Sequence, residues 1–126
     1  MRVFVLRSLV RKAKRLGIDD RRFLQAAQEL ADGKFDAVLG GGVYKQRIAR
    51  PGGGKSGGAR ALIAFRKGDR TVFVEIFAKS ELDNISTKAL AAVRDVAAAV
   101  LGVDDAGIAA LVQDGIWVEV TDSGEE

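Results

Sequence analysis

Residues 40–60 of this 126-residue chain read GGGVYKQRIARPGGGKSGGAR and hold eight of its 15 glycines and its only proline. The alternating pattern at Val43–Ile48 predicts a β-strand, and a second strand is predicted at Ala61–Arg66. The glycines and proline of Pro51–Gly58 predict a long hairpin loop between these two strands. The stretch contains no acidic residue, and its cations are Lys45, Arg47, Arg50, Lys55 and Arg60.

Glycine costs backbone entropy wherever it is ordered, so this glycine content does not indicate a stabilising segment. Glycines mixed with cations indicate a surface for a bulky polyanion such as RNA or DNA, and the alternative is a loop that only connects two strands. The triplet Gly54-Lys55-Ser56 resembles the end of a nucleotide-binding P-loop. However, Ala49 occupies the position of the required glycine, and a strand follows instead of a helix, which excludes that motif.

Outward from this stretch, hydrophobic periodicity predicts helices and strands on both sides. In chain order, the predicted elements are a strand at Val3–Leu6, a helix from Ser8 to Gly17, a helix from Asp19 or Asp20 to Gly33, the strands at Val43–Ile48, Ala61–Arg66 and Thr71–Phe77, a helix from Ser86 to Gly102, a short helix from Asp104 to about Val112, and a strand at Ile116–Val120. We therefore expect one α+β domain over residues 1–126, with an acidic C-terminal extension at 102–126.

Composition excludes several classes of protein and site. The chain has no cysteine and no histidine, so it has no disulfide, no thiolate nucleophile and no ordinary zinc site. No apolar run approaches the ~20 residues of a membrane span. Charges interrupt the first 17 residues too often for a secretory signal, so the expected location is the cytoplasm.

Charge is distributed unevenly along the chain. The formal net charge is only +3, but residues 1–80 contain 18 Lys and Arg against seven acidic residues, while residues 81–126 contain two basic residues against ten acidic ones. A basic first part with an acidic end is typical of nucleic-acid binding by the first part. The acidic end is either simply solvated or folds back to compete with phosphate for the basic surface.

Strand alternation separates the candidate site residues from the core. Lys45 and Arg47 share one face of their strand. The opposite, inward face is predicted to carry Tyr44, Gln46 and Ile48. Arg60 leads into the next strand and Lys79 follows the exit of Thr71–Phe77, so we expect these strand ends to converge on one patch. The alternative for any single lysine is a solvated sheet face.

Glu75 is the one charged residue inside the apolar strand TVFVEIF. Alternation predicts that it lies on the face of Thr71 and Phe73. It is a candidate general base or an ion-pair partner of Arg60 or Arg47, and a purely structural ion pair is the alternative.

Three motifs together resemble one family. LGGG at 39–42, GGGKSGGAR at 52–60, and FAKSE at 77–81 with NIS at 84–86 resemble the RelE-like toxins of type II toxin–antitoxin systems, in their HigB-like branch. The resemblance covers about Val3 to Leu101. It implies a RelE-like α+β fold, with two N-terminal helices and a C-terminal helix packed on a small antiparallel sheet.

The same resemblance implies a function and a set of partners. Such a toxin is a cytoplasmic mRNA interferase that cuts messages in the ribosomal decoding site and inhibits translation. It is a metal-independent endoribonuclease that uses 2′-OH attack and needs no cofactor. A cognate antitoxin, expected to be a helix-turn-helix protein, neutralises it, and the pair binds operator DNA through the antitoxin; no membrane is involved. The alternatives are a ParE-like gyrase poison without nuclease activity and a non-catalytic RNA-binding module.

Carried onto this sequence, the catalytic residues of the family fall on Lys45, Arg47, Lys55, Arg60 and Lys79. The candidate bases are a lysine crowded by other cations, Glu75 and Glu81. We also expect the cations of the helix pair to hold ribosomal RNA backbone and Arg47 or Arg50 to stack on a base. These helix cations are Arg11, Lys12, Lys14, Arg15, Arg21 and Arg22. Some relatives add a catalytic histidine or tyrosine near the last strand or the C-terminus. Here histidine is absent and the sole tyrosine, Tyr44, is predicted to face inward, so the identity of the general base stays open.

Overall fold

The computed structural model describes residues 1–50, 54–78 and 85–122, apart from the side chains of residues 50 and 54–57. Its helices are α1 (Val10–Arg15), α2 (Asp20–Ala31), α3 (Thr87–Leu101) and α4 (Asp105–Gln113), and a short 3-10 turn at Arg7–Leu9 precedes α1. Its strands are β1 (Arg2–Leu6), β2 (Ala37–Gly40), β3 (Val43–Arg50), β4 (Gly54–Arg66), β5 (Arg70–Ala78) and β6 (Trp117–Glu119).

These strands form one sheet in the order β2-β3-β4-β5-β1-β6. The pair β1–β5 is parallel, while each of the other described pairs is antiparallel. The fold is therefore α+β, as predicted, but the expected helix arrangement is only partly matched. Compared with the arrangement that the resemblance implies, the described residues contain a second C-terminal helix, α4, and a further strand, β6, both of which the sequence pattern predicted. The short edge strand β2 was not predicted.

The sheet separates two apolar layers. On one face, α1 and α2 pack against the sheet, and the rings of Phe23 and Phe73 meet edge to face with centroids 4.8 Å apart. On the other face, α3 and α4 cover the sheet around Phe4 and Trp117. Because Ile108 of α4 and Trp117 belong to the second layer, apolar residues of the acidic C-terminal segment pack in the core, while Asp104, Asp105 and Asp114 are exposed.

Local capping chemistry explains three helix starts. Asp19, Ser86 and Asp104 each accept a hydrogen bond from the backbone N–H three residues later. These are the predicted N-caps of α2, α3 and α4. The predicted cap at Ser8 is wrong, because that residue lies in the 3-10 turn and α1 begins only at Val10, without a side-chain cap.

The predicted loop at Pro51–Gly58 is also too long. β4 begins at Gly54, which pairs with Arg50, so residues 54–58 continue the hairpin as a strand. Gly58 permits close approach there, since a Cβ atom on it would lie 2.8 Å from the carbonyl oxygen of Ile48. Residues 51–53 lie outside the described part of the chain.

The LGGG motif forms the tight turn between β2 and β3. All three of its glycines have φ between 64° and 85°, a region that side chains disfavour. Arg94 of α3 donates from Nε and Nη2 to the carbonyl oxygen of Leu39 at 2.8 and 2.6 Å. A Cβ atom on Gly42 would lie 2.7 Å from Leu101. These contacts give the three glycines a structural role, because they hold the start of β3 against α3.

Across residues 1–50, 54–78 and 85–122, no helix is both long enough and apolar enough to cross a membrane.

Candidate functional site

The candidate site is centred on two arginines. Arg47 of β3 and Arg60 of β4 are directly opposite each other in the antiparallel register. Opposite residues place their side chains on the same face, with Cβ atoms about 5 Å apart. Gly58 lies on this face as well, because a Cβ atom on it would lie 3.7 Å from Cγ of Arg47.

Lys45 lies on the same face, two residues before Arg47 on β3. Its register partner is Leu62, which packs in the apolar layer of α3, so the cations share the face that α3 partly covers. On β5, Glu75 is opposite Leu62 and Phe77 is opposite Arg60. We call Lys45, Arg47, Arg60, Glu75 and Phe77 the strand cluster.

Arg60 is largely enclosed, with 11% of its side chain exposed. Its Nε lies 3.3 Å from Oδ2 of Asp36, and its Nη1 donates to the carbonyl oxygen of Ala59 at 3.2 Å. These two contacts fix the guanidinium plane. Arg47, in contrast, has an exposed side chain.

The opposite face of β3 is anchored to α2. Gln46 is only 3% exposed, and its Nε2 donates to the carbonyl oxygens of Lys34 at 2.7 Å and Ala26 at 3.4 Å. Ile48 is fully buried, and Tyr44 packs edge to face on Phe65. The predicted inward face of β3 is therefore confirmed, and Lys45 and Arg47 point to the opposite face, on the α3 side of the sheet.

Glu75 lies on the face opposite to the one that alternation predicts. The register passes from Leu62–Glu75 to Ile63–Phe73, so Val74 is an extra residue on β5. Such a β-bulge reverses the alternation at one point. Glu75 therefore faces the α3 side with Leu62, and the prediction that it shares the face of Phe73 is wrong.

Burial raises the pKa of Glu75, and the nearby Lys12 ammonium partly opposes this rise. Lys12 extends from α1, and its Nζ lies 5.2 Å from the centre of the Phe77 ring. Among the described residues, the cation that lowers this pKa is thus Lys12 of α1 rather than Arg60 or Arg47, the partners that the sequence suggested. A carboxylate with a raised pKa binds protons closer to neutral pH, as a general base requires.

An apolar groove of about 630 Å³ opens beside Glu75, between α3 and β5. Its described lining includes Val74, Phe77, Ala89 and Val93, and Glu75 is the ionisable residue among the lining residues. The described residues contain no group of three or more acidic side chains close enough to hold a metal ion.

The helix cations are not all on one surface. Arg11, Lys14, Arg15 and Arg21 are exposed, whereas Lys12 and Arg22 are partly buried. Arg22 pairs with Asp19 at 3.6 Å, and its Nε is buried without a hydrogen-bond partner. Arg22 also lines a groove of about 560 Å³ between α2 and β3, together with Lys34 and Arg47. This groove joins the helix pair to the strand cluster.

Three predicted site residues cannot be placed. The backbone of Lys55 lies in β4 and that of Arg50 in β3, but their side chains are outside the described part of the structure, as is the whole of Lys79. The predicted convergence of Lys55 and Lys79 on Arg60 therefore stays a prediction. The sequence reading missed Asp36 and Phe77, because only the strand register places them beside Arg60.

Comparison with known proteins identifies the family of this chain. A family model described as the RelE toxin of the RelE/RelB toxin–antitoxin system matches residues 1–120. No curated protein sequence matches the chain significantly. The family match extends from β1 through β6 and includes every residue of the strand cluster. The chain therefore belongs to the RelE family of toxins, whose partners are antitoxins.

Proposed function

We propose that this toxin is a ribosome-dependent mRNA endoribonuclease of the HigB-like branch, which inhibits translation by cutting messages in the decoding site. The observation that carries the proposal is the pair of register partners Arg47 and Arg60 on one face of the sheet. Membership in the RelE toxin family supports it. Two arginines at paired positions on one face suit a phosphate, because the planar donors of a guanidinium match its oxygens in pairs.

The proposed reaction is transesterification at one phosphate of the message. The 2′-oxygen attacks phosphorus, the bond from phosphorus to the 5′-oxygen breaks, and the products are a cyclic 2′,3′-phosphate and a free 5′-OH. The proton of the 2′-OH passes to a base, and the leaving 5′-oxygen takes a proton from an acid. Arg60 and Arg47 stabilise the charge that develops on the phosphate, as donors fixed in advance do.

Glu75 is our candidate for the base. It lies one register step from Arg60 on the same face, and burial raises its pKa towards the working range. Lys55 and Lys79 are candidates for the acid that protonates the 5′-oxygen. Lys45 supplies further positive charge for the phosphate backbone.

The cations of α1 and α2 are proposed to hold ribosomal RNA through its phosphates, and Arg50 to stack on a base. The groove lined by Arg22, Lys34 and Arg47 offers a path from these helices to the strand cluster. In cells, we propose that the toxin acts in the cytoplasm and that a helix-turn-helix antitoxin neutralises it and carries it to operator DNA.

Primer extension on ribosomes programmed with one message tests this function. The wild-type chain should produce cuts in the decoding site, and Arg60→Ala should lower the cutting rate by about 10²–10³-fold. Arg66→Ala is the matched control: Arg66 lies at the far end of β4, exposed and paired with Asp69, and its loss should leave cutting unchanged.

Two results would reject the nuclease function. Uncut messages with toxicity that survives Arg60→Ala would favour a gyrase poison. Uncut messages with salt-dependent RNA binding would favour a non-catalytic RNA-binding module.

A further inference from the structure

Phe35 is an exposed aromatic residue beside the strand cluster. It follows the end of α2 and is 36% exposed. It lines the groove between α2 and β3, the same groove that Arg22, Lys34 and Arg47 line. Single exposed apolar residues are common on protein surfaces. Phe35 differs from such residues because its position is fixed and because cations share its groove.

The backbone on both sides of Phe35 is bonded to β3. The carbonyl oxygen of Lys34 accepts a hydrogen bond from Nε2 of Gln46 at 2.7 Å. The backbone N–H of Asp36 donates to the carbonyl oxygen of Lys45 at 3.0 Å. Phe35 lies between these two bonds, so the segment that carries its ring is fixed to the sheet.

The ring of Phe35 is the outer member of a row of three aromatic rings. Tyr44 meets Phe35 nearly edge to face, with ring centroids 5.0 Å apart. Tyr44 also meets the buried Phe65 in the same way, at 5.5 Å. The row anchors the outer ring while leaving part of it in solvent. A ring that is held in place before a ligand arrives lowers the entropic cost of binding.

The cations of this groove come from three different segments: Arg22 from α2, Lys34 from the loop after it, and Arg47 from β3. Lys34 and Arg47 are exposed. Arg22 is held loosely, since its Nη1 lies 3.6 Å from Oδ2 of Asp19 and its buried Nε has no hydrogen-bond partner among the described residues. An unpaired buried donor is unfavourable, so an acceptor that draws this guanidinium into the groove would stabilise it.

Two carboxylates, Glu29 and Asp36, also line the groove. Asp36 is paired with Arg60 at 3.3 Å, which balances its charge. The described lining therefore keeps an excess of positive charge. The same pair connects the groove to the catalytic arginine, because Asp36 directly follows Phe35 in the chain.

We propose, building on the nuclease function, that this groove binds a nucleotide of the single-stranded message next to the phosphate that is cut. The base stacks on Phe35, and the phosphates contact Lys34 and Arg22. Proteins hold single strands in this way, with cations along the backbone and aromatic rings under the bases. The groove volume of about 560 Å³ lies within the range of ligand sites, about 300–1,000 Å³. Phe35 thus gives the message a stacking position besides the one proposed for Arg50.

An uncleavable RNA tests the stacking without any catalytic activity. A tetranucleotide of 2′-O-methyladenosine lacks the attacking hydroxyl, and its binding to the isolated full chain can be followed by NMR. Its adenine protons should shift upfield, because the ring current of Phe35 acts on a stacked base. Phe35→Leu keeps an apolar side chain without the ring, and should raise Kd about 5- to 100-fold and abolish this shift.

Two further variants control this titration. Phe35→Tyr keeps a ring and should restore both the affinity and the upfield shift. Ile116→Ala removes another apolar side chain, 51% exposed and outside the groove, and should match wild type. Unchanged affinity and shifts in Phe35→Leu would overturn the proposal. If this variant instead loses self-association in sedimentation velocity with its RNA affinity unchanged, the ring belongs to a protein contact.

Salt dependence tests the phosphate contacts. Lys34→Met and Arg22→Met should each lower the slope of log Kd against log salt concentration by about 0.7, the value for one phosphate contact on a single strand. Arg66→Ala, at the far end of β4, should leave the slope unchanged. Unchanged slopes in both groove variants would overturn the assignment of these cations to the message.

Cleavage on programmed ribosomes separates the message from ribosomal RNA. Phe35→Leu should raise KM and keep kcat within about twofold of wild type, because the ring binds the message without touching the reacting atoms. Its affinity for ribosomes without message should be unchanged, and a loss of that affinity would overturn the assignment to the message. If the wild-type chain cuts no message, the nuclease function fails, while the tetranucleotide titration still decides whether the groove holds RNA.

Discussion

Asp36 and Arg60 form an ion pair beside β3: Oδ2 of Asp36 lies 3.3 Å from Nε of Arg60. Asp36 lies just before β2, and β3 lies between β2 and β4, the strand that carries Arg60. The backbone N–H of Asp36 donates to the carbonyl oxygen of Lys45 on β3. The pair therefore links three neighbouring strands. It occupies the Nε edge of the guanidinium and fixes the direction in which the rest of the group points.

Asp36→Asn should slow message cutting by about 10- to 100-fold, because a catalytic donor displaced by about 1 Å loses that much rate. The free energy of unfolding should change by no more than about 1 kcal/mol, since Asp36 is partly exposed and its pair is screened by solvent. Single-turnover cleavage on programmed ribosomes, alongside urea denaturation, measures both effects. Asp69→Asn, which breaks the exposed pair with Arg66, is the control. Faster cutting in Asp36→Asn would show instead that Asp36 competes with phosphate for Arg60.

Arg60→Lys should lose about 10²-fold in cutting rate although it keeps the positive charge. A lysine ammonium cannot keep the Asp36 and Ala59 contacts and also offer paired donors to a phosphate. Arg47→Lys should lose less, about tenfold, because Arg47 is exposed and its guanidinium is less enclosed. Single-turnover cutting rates of the two variants on one message measure both effects. Equal losses of rate would contradict the prediction that the enclosed Arg60 matters more than the exposed Arg47.

Features that depend on residues close together in the chain could be predicted from the sequence. The N-caps at Asp19, Ser86 and Asp104 depend on a side chain and a backbone N–H three residues away. The inward face of β3 follows from alternation within a single strand. The α+β class follows from the same local patterns.

Features that depend on pairing between segments far apart in the chain could not be predicted from the sequence. The bulge at Val74, which reverses the face of Glu75, exists only in the register of β5 with β4. The Asp36–Arg60 pair requires β2 to lie beside β3, and β2 is only four residues long. The position of Lys12 requires β1 to pair in parallel with β5, a long-range contact with no local signal.

Gly58→Ala should disturb the site through the backbone. Its Cβ would lie 2.8 Å from the carbonyl oxygen of Ile48, and a strand carbonyl cannot move away as a side chain can. We expect a loss of about 1–3 kcal/mol in the free energy of unfolding, together with slower cutting, because β3 and β4 separate at the Arg47–Arg60 pair.

Gly68→Ala is the control for Gly58→Ala. Gly68 has φ of 77° in the turn between β4 and β5, and nothing lies within 4 Å of an added Cβ. It should lose about 1 kcal/mol from backbone strain alone and cut messages at the wild-type rate. Urea denaturation and single-turnover cleavage of both variants test the prediction, which fails if Gly58→Ala cuts as fast as Gly68→Ala.

Glu75 should make stability fall as pH rises. Its pKa is raised by burial in the folded state, so the folded chain binds this proton more tightly than the unfolded chain. The resulting stabilisation is complete below the ordinary carboxyl pKa of 4.5 and is lost as pH rises through the folded value. Glu75→Gln should remove this decline, so its stability relative to wild type should increase between pH 4 and neutrality.

Glu119→Gln should show the opposite slope, because the hydrogen bond from Arg2 lowers the pKa of Glu119, and the stability that Glu119 contributes is lost as pH falls. Urea denaturation of the three proteins, extended below pH 4.5 for Glu119, gives the two difference curves, and slopes of the same sign would contradict these two pKa shifts.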